Sequence, residues 1–221
     1  MALDLRRSTR FRLSAAAFAL ATLGSVVAVP SPAAAHNVGL PEAMYSDDAY
    51  LAQRVVEVSD TADVTLGVEW SPTVDGFVTH ITFCLDVPIN SRIPVWATLW
   101  TADGTQLGAV GGGSEGFAGY FTAPCFWHAQ LPQPVDVLAG ERYVVSWHDA
   151  GGQYSYVPHG FDNDISNTDG GGHLIFYSNE NSTVGAGNGL YVYTPYRGLF
   201  PTESWENSDY LISPEFTPYD H

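Results

Sequence analysis

An all-β fold, an antiparallel β-sandwich of jelly-roll form, is predicted by three features of this 221-residue chain. Apolar residues recur at every second position in several short runs, helical periodicity is almost absent, and turn residues separate the runs. A closed β-barrel is the rival all-β form.

The runs come in order. In "VTLGVEWS", Val64, Leu66, Val68 and Trp70 share one face. In "GFVTHITFCL", Phe77, Thr79, Ile81, Phe83 and Leu85 face one way and Val78, His80, Thr82 and Cys84 the other. "PVWATLW" sets Val95, Ala97 and Leu99 against Trp96, Thr98 and Trp100. "RYVVSWHD" sets Tyr143, Val145 and Trp147 against Arg142, Val144, Ser146 and His148, and "GLYVY" sets Tyr191 and Tyr193 against Leu190 and Val192. Between them stand "SPTVDG", "TADGT", "LAGE", "DAGG" and "TDGGG", whose Gly, Asp and Pro suit tight corners.

Two segments break the rhythm. Residues 36–60 read as an N-terminal arm across the sandwich with one short helical turn around "DDAYLAQRV". Residues 160–188 read as a long polar excursion with a short apolar centre, a length that in compact domains usually carries function. The expected organisation is a signal peptide over 1–35, the arm over 36–60 and one β-sandwich domain over 61–219.

The leader has its zones in the required order: Arg6, Arg7, Arg10 and Arg12, then "LSAAAFALATLGSVVAV", then Ala33-Ala34-Ala35. Cleavage after Ala35 is expected, and with it export and an extracellular or cell-surface location. A permanent membrane anchor is the alternative, but the apolar run is rich in small residues and closed by Pro30 and Pro32. No membrane span is expected after cleavage. Arg6-Arg7 leaves the export route open.

The whole chain carries a formal charge of −16, and four of its eight basic residues but only one acid precede residue 36. Beyond that point there is no lysine, only Arg54, Arg92, Arg142 and Arg197. Such a field repels phosphate backbones and anionic lipid, so nucleic acid is not an expected partner. Cys84 and Cys125 are the only cysteines, which in an exported chain reads as one disulfide; free thiols are the alternative.

Four ordered stretches carry a resemblance: "DTADVTLGVEWSPTVDGFVTHITF", "ATLWTADGTQLGAV", "VLAGERYVVSWHDAGGQYSYVPHGF" and "GNGLYVYTPYRGLFPTESWENSDYLISPEF". Together they resemble the bacterial secreted module family called domain of unknown function 4082, over about residues 45–218. The resemblance implies a β-sandwich with an accessory or surface-binding role, since such modules often adjoin immunoglobulin-like or carbohydrate-processing domains. The chain departs from the family pattern at Cys84, Cys125 and "CFWHAQL".

Four constellations offer chemistry. Sugars stack their apolar ring faces on Trp or Tyr while polar side chains bond their hydroxyls. Trp147, Gln153, Tyr154, Tyr156, Tyr193, Arg197 and Trp205 form the expected ligand-binding set, drawn from a wider group that includes Tyr191, Tyr196, Asp149 and Asn188. Core packing is the competing role for each aromatic. Secondly, "DNDISNTDGGG" offers Asp162, Asp164, Asn167 and Asp169 as hard oxygen ligands, so calcium is the one cofactor expected, although the loop is not an EF-hand and acidic loops are often merely solvated. Thirdly, Ser146 and His148 lie near each other, but neither a nucleophile elbow nor a zinc-binding His-Glu-x-x-His pattern occurs, so no catalytic residue is assigned.

Fourthly, His36 would be the first residue after cleavage, and an N-terminal histidine binds copper in oxidative enzymes such as lytic polysaccharide monooxygenases. His80, His128, His148, His159 and His173 are possible partners for it. The main expectation is a non-catalytic module binding an extracellular polysaccharide or cell-surface glycan. A copper-dependent oxidative enzyme using His36 and a structural envelope protein are the alternatives.

Overall fold

The computed structural model describes residues 39–44, 55–85, 96–111, 118–122, 125–167 and 172–219, all within the compact unit that spans residues 36–221. Fourteen strands occur among them, and every pairing between them is antiparallel. They are β1 (Val56–Ser59), β2 (Val64–Pro72), β3 (Gly76–Cys84), β4 (Trp96–Thr101), β5 (Gln106–Gly111), β6 (Gly119–Thr122) and β7 (Phe126–Val137). Then follow β8 (Tyr143–Asp149), β9 (Gln153–Tyr156), β10 (Ile165–Ser166), β11 (Leu174–Phe176), β12 (Leu190–Tyr193), β13 (Glu203–Ser204) and β14 (Ile212–Pro218). The helical turn expected around "DDAYLAQRV" lies outside the described residues.

The large sheet runs β10-β11-β2-β8-β4-β5, with β12 also on β2 and β13 on β12; a second sheet runs β14-β3-β7-β6; β1 and β9 form a third. Apolar side chains of the first two meet face to face: alternation puts Leu66, Val68, Trp70, Val145 and Trp147 on one inner face, and on the other a bulge between Val78 and His80 brings Val78, rather than the expected Phe77 and Thr79, to the side of Ile81, Phe83 and Phe216. Phe83 stacks on Trp147 with ring centroids 4.8 Å apart, and Trp70 meets Phe216 at 6.3 Å. This all-β, multi-sheet arrangement is consistent with a β-sandwich. The pairings β2 with β8, β3 with β7 and β4 with β5 are nested, each inside the one before.

Cys84 and Cys125 form the expected disulfide, with Cα atoms 4.9 Å apart, tying the end of β3 to the start of β7. The "TADGT" turn closes β4 onto β5: Asp103 accepts a bond from the Thr105 amide at 3.1 Å, and Gly104 takes a φ of 86°, the left-handed region where glycine avoids a Cβ clash.

Two strands hid behind proline. β7 carries Pro132 and Pro134 where its register against β3 slips, beyond the stretch paired to β6, and β14 carries Pro214 and Pro218 with β3 as its strand neighbour. A bulge and an edge are the positions where a missing N–H does least harm.

The polar excursion over 160–188 is woven into the fold rather than set apart from it. β11 pairs with the far end of β2, and Phe161, Leu174 and Phe176 are buried in the main core. The fully buried Glu69 carboxylate holds the excursion down: it accepts from Arg142 Nη1 at 2.9 Å, the Thr183 amide at 3.0 Å and the Thr183 hydroxyl at 2.7 Å. Asn188, also buried, exchanges bonds with the Glu69 backbone at 2.8 and 2.9 Å. Buried polar groups satisfied this fully stabilise one arrangement of the segment.

Candidate binding cleft

The inner face of the large sheet extends past its cover. Tyr191 of β12 stands directly opposite Leu66, which stands opposite Trp147, while Tyr193 stands opposite Val64. Leu66 and Trp147 are fully buried, yet Tyr193 is 50 % exposed. Period two places both tyrosines on this face, and Gly189 lets β12 enter closely: a Cβ there would lie 1.9 Å from the Ser208 carbonyl oxygen.

The third sheet builds the opposite wall. β1 pairs with β9 so that Val58 faces Tyr154 and Val56 faces Tyr156, and alternation turns both tyrosines to one side. Tyr210 lies between them and the core, 5.8 Å from Tyr154 and 6.2 Å from Tyr156 by ring centroids.

The rim comes from a tight turn at residues 205–208. The Ser208 amide donates to the Trp205 carbonyl at 2.9 Å, and Glu206 and Asn207 both take positive φ, 46° and 52°. Two left-handed central residues define a type I′ turn, for which Asn is suited and Glu is not. Leu211, with φ 58°, and His159, with φ 60°, are the other described non-glycine residues in this region of φ. His159 bonds the Glu206 carbonyl, and Val157 bridges Asp209. The unusual backbone is thus gathered at one edge of the cleft, the kind of place where such conformations accompany function.

The result is an open cavity of about 330 Å³ lined by Val58, Tyr154, Tyr156, Tyr191, Tyr193, Trp205, Ser208 and Tyr210. Trp205 is 54 % exposed. The Ser208 hydroxyl is buried and has no hydrogen-bond partner, although it borders the cavity.

The phenols are held protonated. Tyr193 donates to Asp60 Oδ2 at 2.9 Å, and that bond, with burial second, pushes its pKa well above the ordinary range. The same bond, with those from the Thr61 and Ala62 amides, lowers Asp60. Burial raises Tyr191, assisted by its bond to Glu203, the residue opposite it on β13. Burial raises Tyr154 and Tyr210 as well. None of these four phenols is a phenolate near neutral pH, so the walls offer π faces and hydroxyl groups rather than a nucleophile or base.

The structure brings together Tyr154, Tyr156, Tyr193 and Trp205 of the expected ligand-binding set. Trp147 is a correction: it is fully buried against Phe83, because β3 covers its part of the sheet. Gln153 is on β9 but turned away from Tyr154 by alternation, and its amide donates to Asp149. Arg197 is exposed on the opposite face of the large sheet, near His148, whose pKa is lowered by burial first and by Arg197 to a lesser degree. Tyr191, Tyr210, Ser208 and Val58 complete the cleft without having been singled out as ligand-binding. Tyr191 shares a face with Tyr193 in the sequence pattern, while Tyr210 and Ser208 carry no local signal.

The described acidic-loop residues are each engaged by separate partners within the fold. Asp162 accepts from Asn207 at 2.6 Å, Asp164 from the Ser178 amide at 2.7 Å and from Asn181, and buried Asn167 bonds Glu42 at 3.0 Å and the Leu174 amide at 3.0 Å. Asp169 and His36 lie outside the described residues. The candidate histidine partners are dispersed: His80 and His128 on Glu215, His173 on Glu42, His148 on Thr65 and His159 beside Asp162. Among the described residues no group of three or more His, Cys, Asp or Glu side chains is placed to hold a metal, and no helix is long and apolar enough to cross a membrane.

Fold and cleft together define an all-β module with an open, aromatic-lined cleft beside its large sheet. The family model described as "Domain of unknown function (DUF4082)" matches residues 51–212, and the chain belongs to that family. No curated protein matches it.

Proposed function

We propose that the protein is a secreted, non-catalytic binding module that holds an extracellular or cell-wall glycan in its tyrosine-lined cleft. One observation carries the reading: five tyrosines and one tryptophan converge on a single open cavity with a free buried hydroxyl at its border. Sugar rings need flat apolar faces beside hydroxyl partners, and the cleft supplies both. Its lining residues include no carboxylate or imidazole for general acid–base chemistry.

Export belongs to the same proposal. The leader over 1–35 and the Cys84–Cys125 disulfide both suit an oxidising compartment. So does the jelly-roll form, which is common among lectin domains. It is supported by the nested pairing of β2 with β8, β3 with β7 and β4 with β5, as when one hairpin wraps around a barrel-like core.

Glycan-array screening of the protein beginning at His36 tests the function. At least one polysaccharide class should bind, and Tyr156→Ala combined with Trp205→Ala should weaken that binding by about thirtyfold, given roughly 1 kcal/mol per lost aromatic contact. Full retention of binding by the double variant sinks the assignment to this cleft.

A further inference from the structure

We propose that the cleft is selective for charge, taking an amino-bearing, cationic sugar in preference to its neutral counterpart and rejecting an acidic one. This rests on the glycan-binding reading above and adds the ligand's chemical class to it, from the aromatic lining and the carboxylates Asp60 and Glu203 that border it.

A tyrosine hydroxyl has one proton to donate and lone pairs with which to accept. Tyr193 spends its proton on Asp60 at 2.9 Å, and Glu203 stands directly across the β12–β13 pair from Tyr191. With its proton on Asp60, the Tyr193 oxygen faces the cavity with acceptor capacity only, and the Glu203 carboxylate beside Tyr191 on the rim is a second acceptor. A protonated amine is all donor, so it matches this pair, whereas a carboxylate, all acceptor, meets lone pairs.

The π faces act in the same direction. Aromatic ring faces are negative and attract cations, most strongly where an ammonium is partly withdrawn from water, and the cavity is walled by six such rings. No lysine or arginine lines it. The two carboxylates beyond the phenols add negative potential, and the −16 formal charge of the chain draws cationic ligands and repels acidic polysaccharides at long range.

Three oligosaccharides of equal length separate the terms: a glucosamine oligomer, its N-acetylated form and a uronate oligomer, titrated calorimetrically at mildly acidic pH where the amine is protonated. The expected order is amine, then N-acetyl, then uronate, with about tenfold between the first two at low salt and less at high salt. Glu203→Gln is placed on the exposed rim and should reduce the amine's advantage while leaving N-acetyl affinity within about twofold. Adding Asp60→Asn should remove the rest, with the melting temperature followed because Asp60 also caps its own turn.

Equal affinity for the amine and N-acetyl forms overturns charge selectivity while leaving the glycan-binding reading intact. Amine binding that survives Tyr156→Ala with Trp205→Ala also overturns it, since attraction to an acidic surface would then account for the effect. Failure of all three sugars to bind removes both readings together.

Discussion

The row Tyr191, Leu66, Trp147, Ala97 crosses four strands of one sheet face, and its two ends have opposite fates. At Trp147 the second sheet lies overhead, Phe83 stacks on the indole, and the aromatic is core. Around Tyr191 the cover is the smaller β1–β9 sheet and the 205–208 turn, which leave a cavity instead of filling it. Residue chemistry is alike at both ends; the difference is whether an opposing layer fills the space. An aromatic face stays open as a cleft wall where packing stops short of it.

The largest effect is expected from breaking the covered end. Trp147→Ala removes one of the largest fully buried side chains and should cost about 4 kcal/mol in urea denaturation, the range for large-to-small changes in a packed core. A loss below about 1 kcal/mol would place Trp147 on the open side of the comparison. Binding to the cleft, measured where the variant remains folded, should change little.

A smaller effect tests what holds the cover in place. Glu215 of β14, buried on the outer face of the second sheet, receives His80 at 2.9 Å, Tyr120 at 3.0 Å and also His128, which stacks on Tyr120. Burial pushes its pKa up, but the bonds from His128 and His80 and their charge outweigh this and bring it from 4.5 down to about 2. A carboxyl with a depressed folded-state pKa contributes stability that is complete above its unfolded value and is lost as pH falls through the folded one. Unfolding free energy should therefore drop by about 2–3 kcal/mol more in the wild type than in Glu215→Gln between roughly pH 5 and pH 2. Trp147 fluorescence should redden as the cover loosens. A gap between the two proteins that does not vary with pH would show that this carboxylate is not the acid-sensitive anchor.

The contrast also explains what could be read from the sequence. β2, β8 and β12 were legible because their alternation is uninterrupted, and the same alternation assigned Trp147 and Tyr193 to faces correctly; β3 and β4 were legible as strands although a register shift interrupts each, and in β3 it moved Val78 to the face expected for Phe77 and Thr79. It could not say which part of a face another sheet covers, and so Trp147 entered the expected site. β7 and β14 were concealed by prolines that only a bulge or an edge accommodates. Tyr154, Tyr156 and Trp205 stood out because turn residues flank them. Tyr210 and Ser208 did not, since their place beside β9 depends on the bridge between Val157 and Asp209, a contact between distant parts of the chain.

The smallest expected effect is at the open end, and there smallness is the informative result. Trp205 is the same residue type as Trp147, but it is 54 % exposed on a turn whose hydrogen bond is made by backbone atoms. Trp205→Ala should therefore alter unfolding free energy by no more than about 0.5 kcal/mol, as for surface changes that break no cap, core contact or buried bond. Under the proposed function, ligand affinity should fall while stability holds. Destabilisation above about 1.5 kcal/mol would instead make Trp205 a packing residue, and the covered and open regions of the molecule would no longer differ in kind.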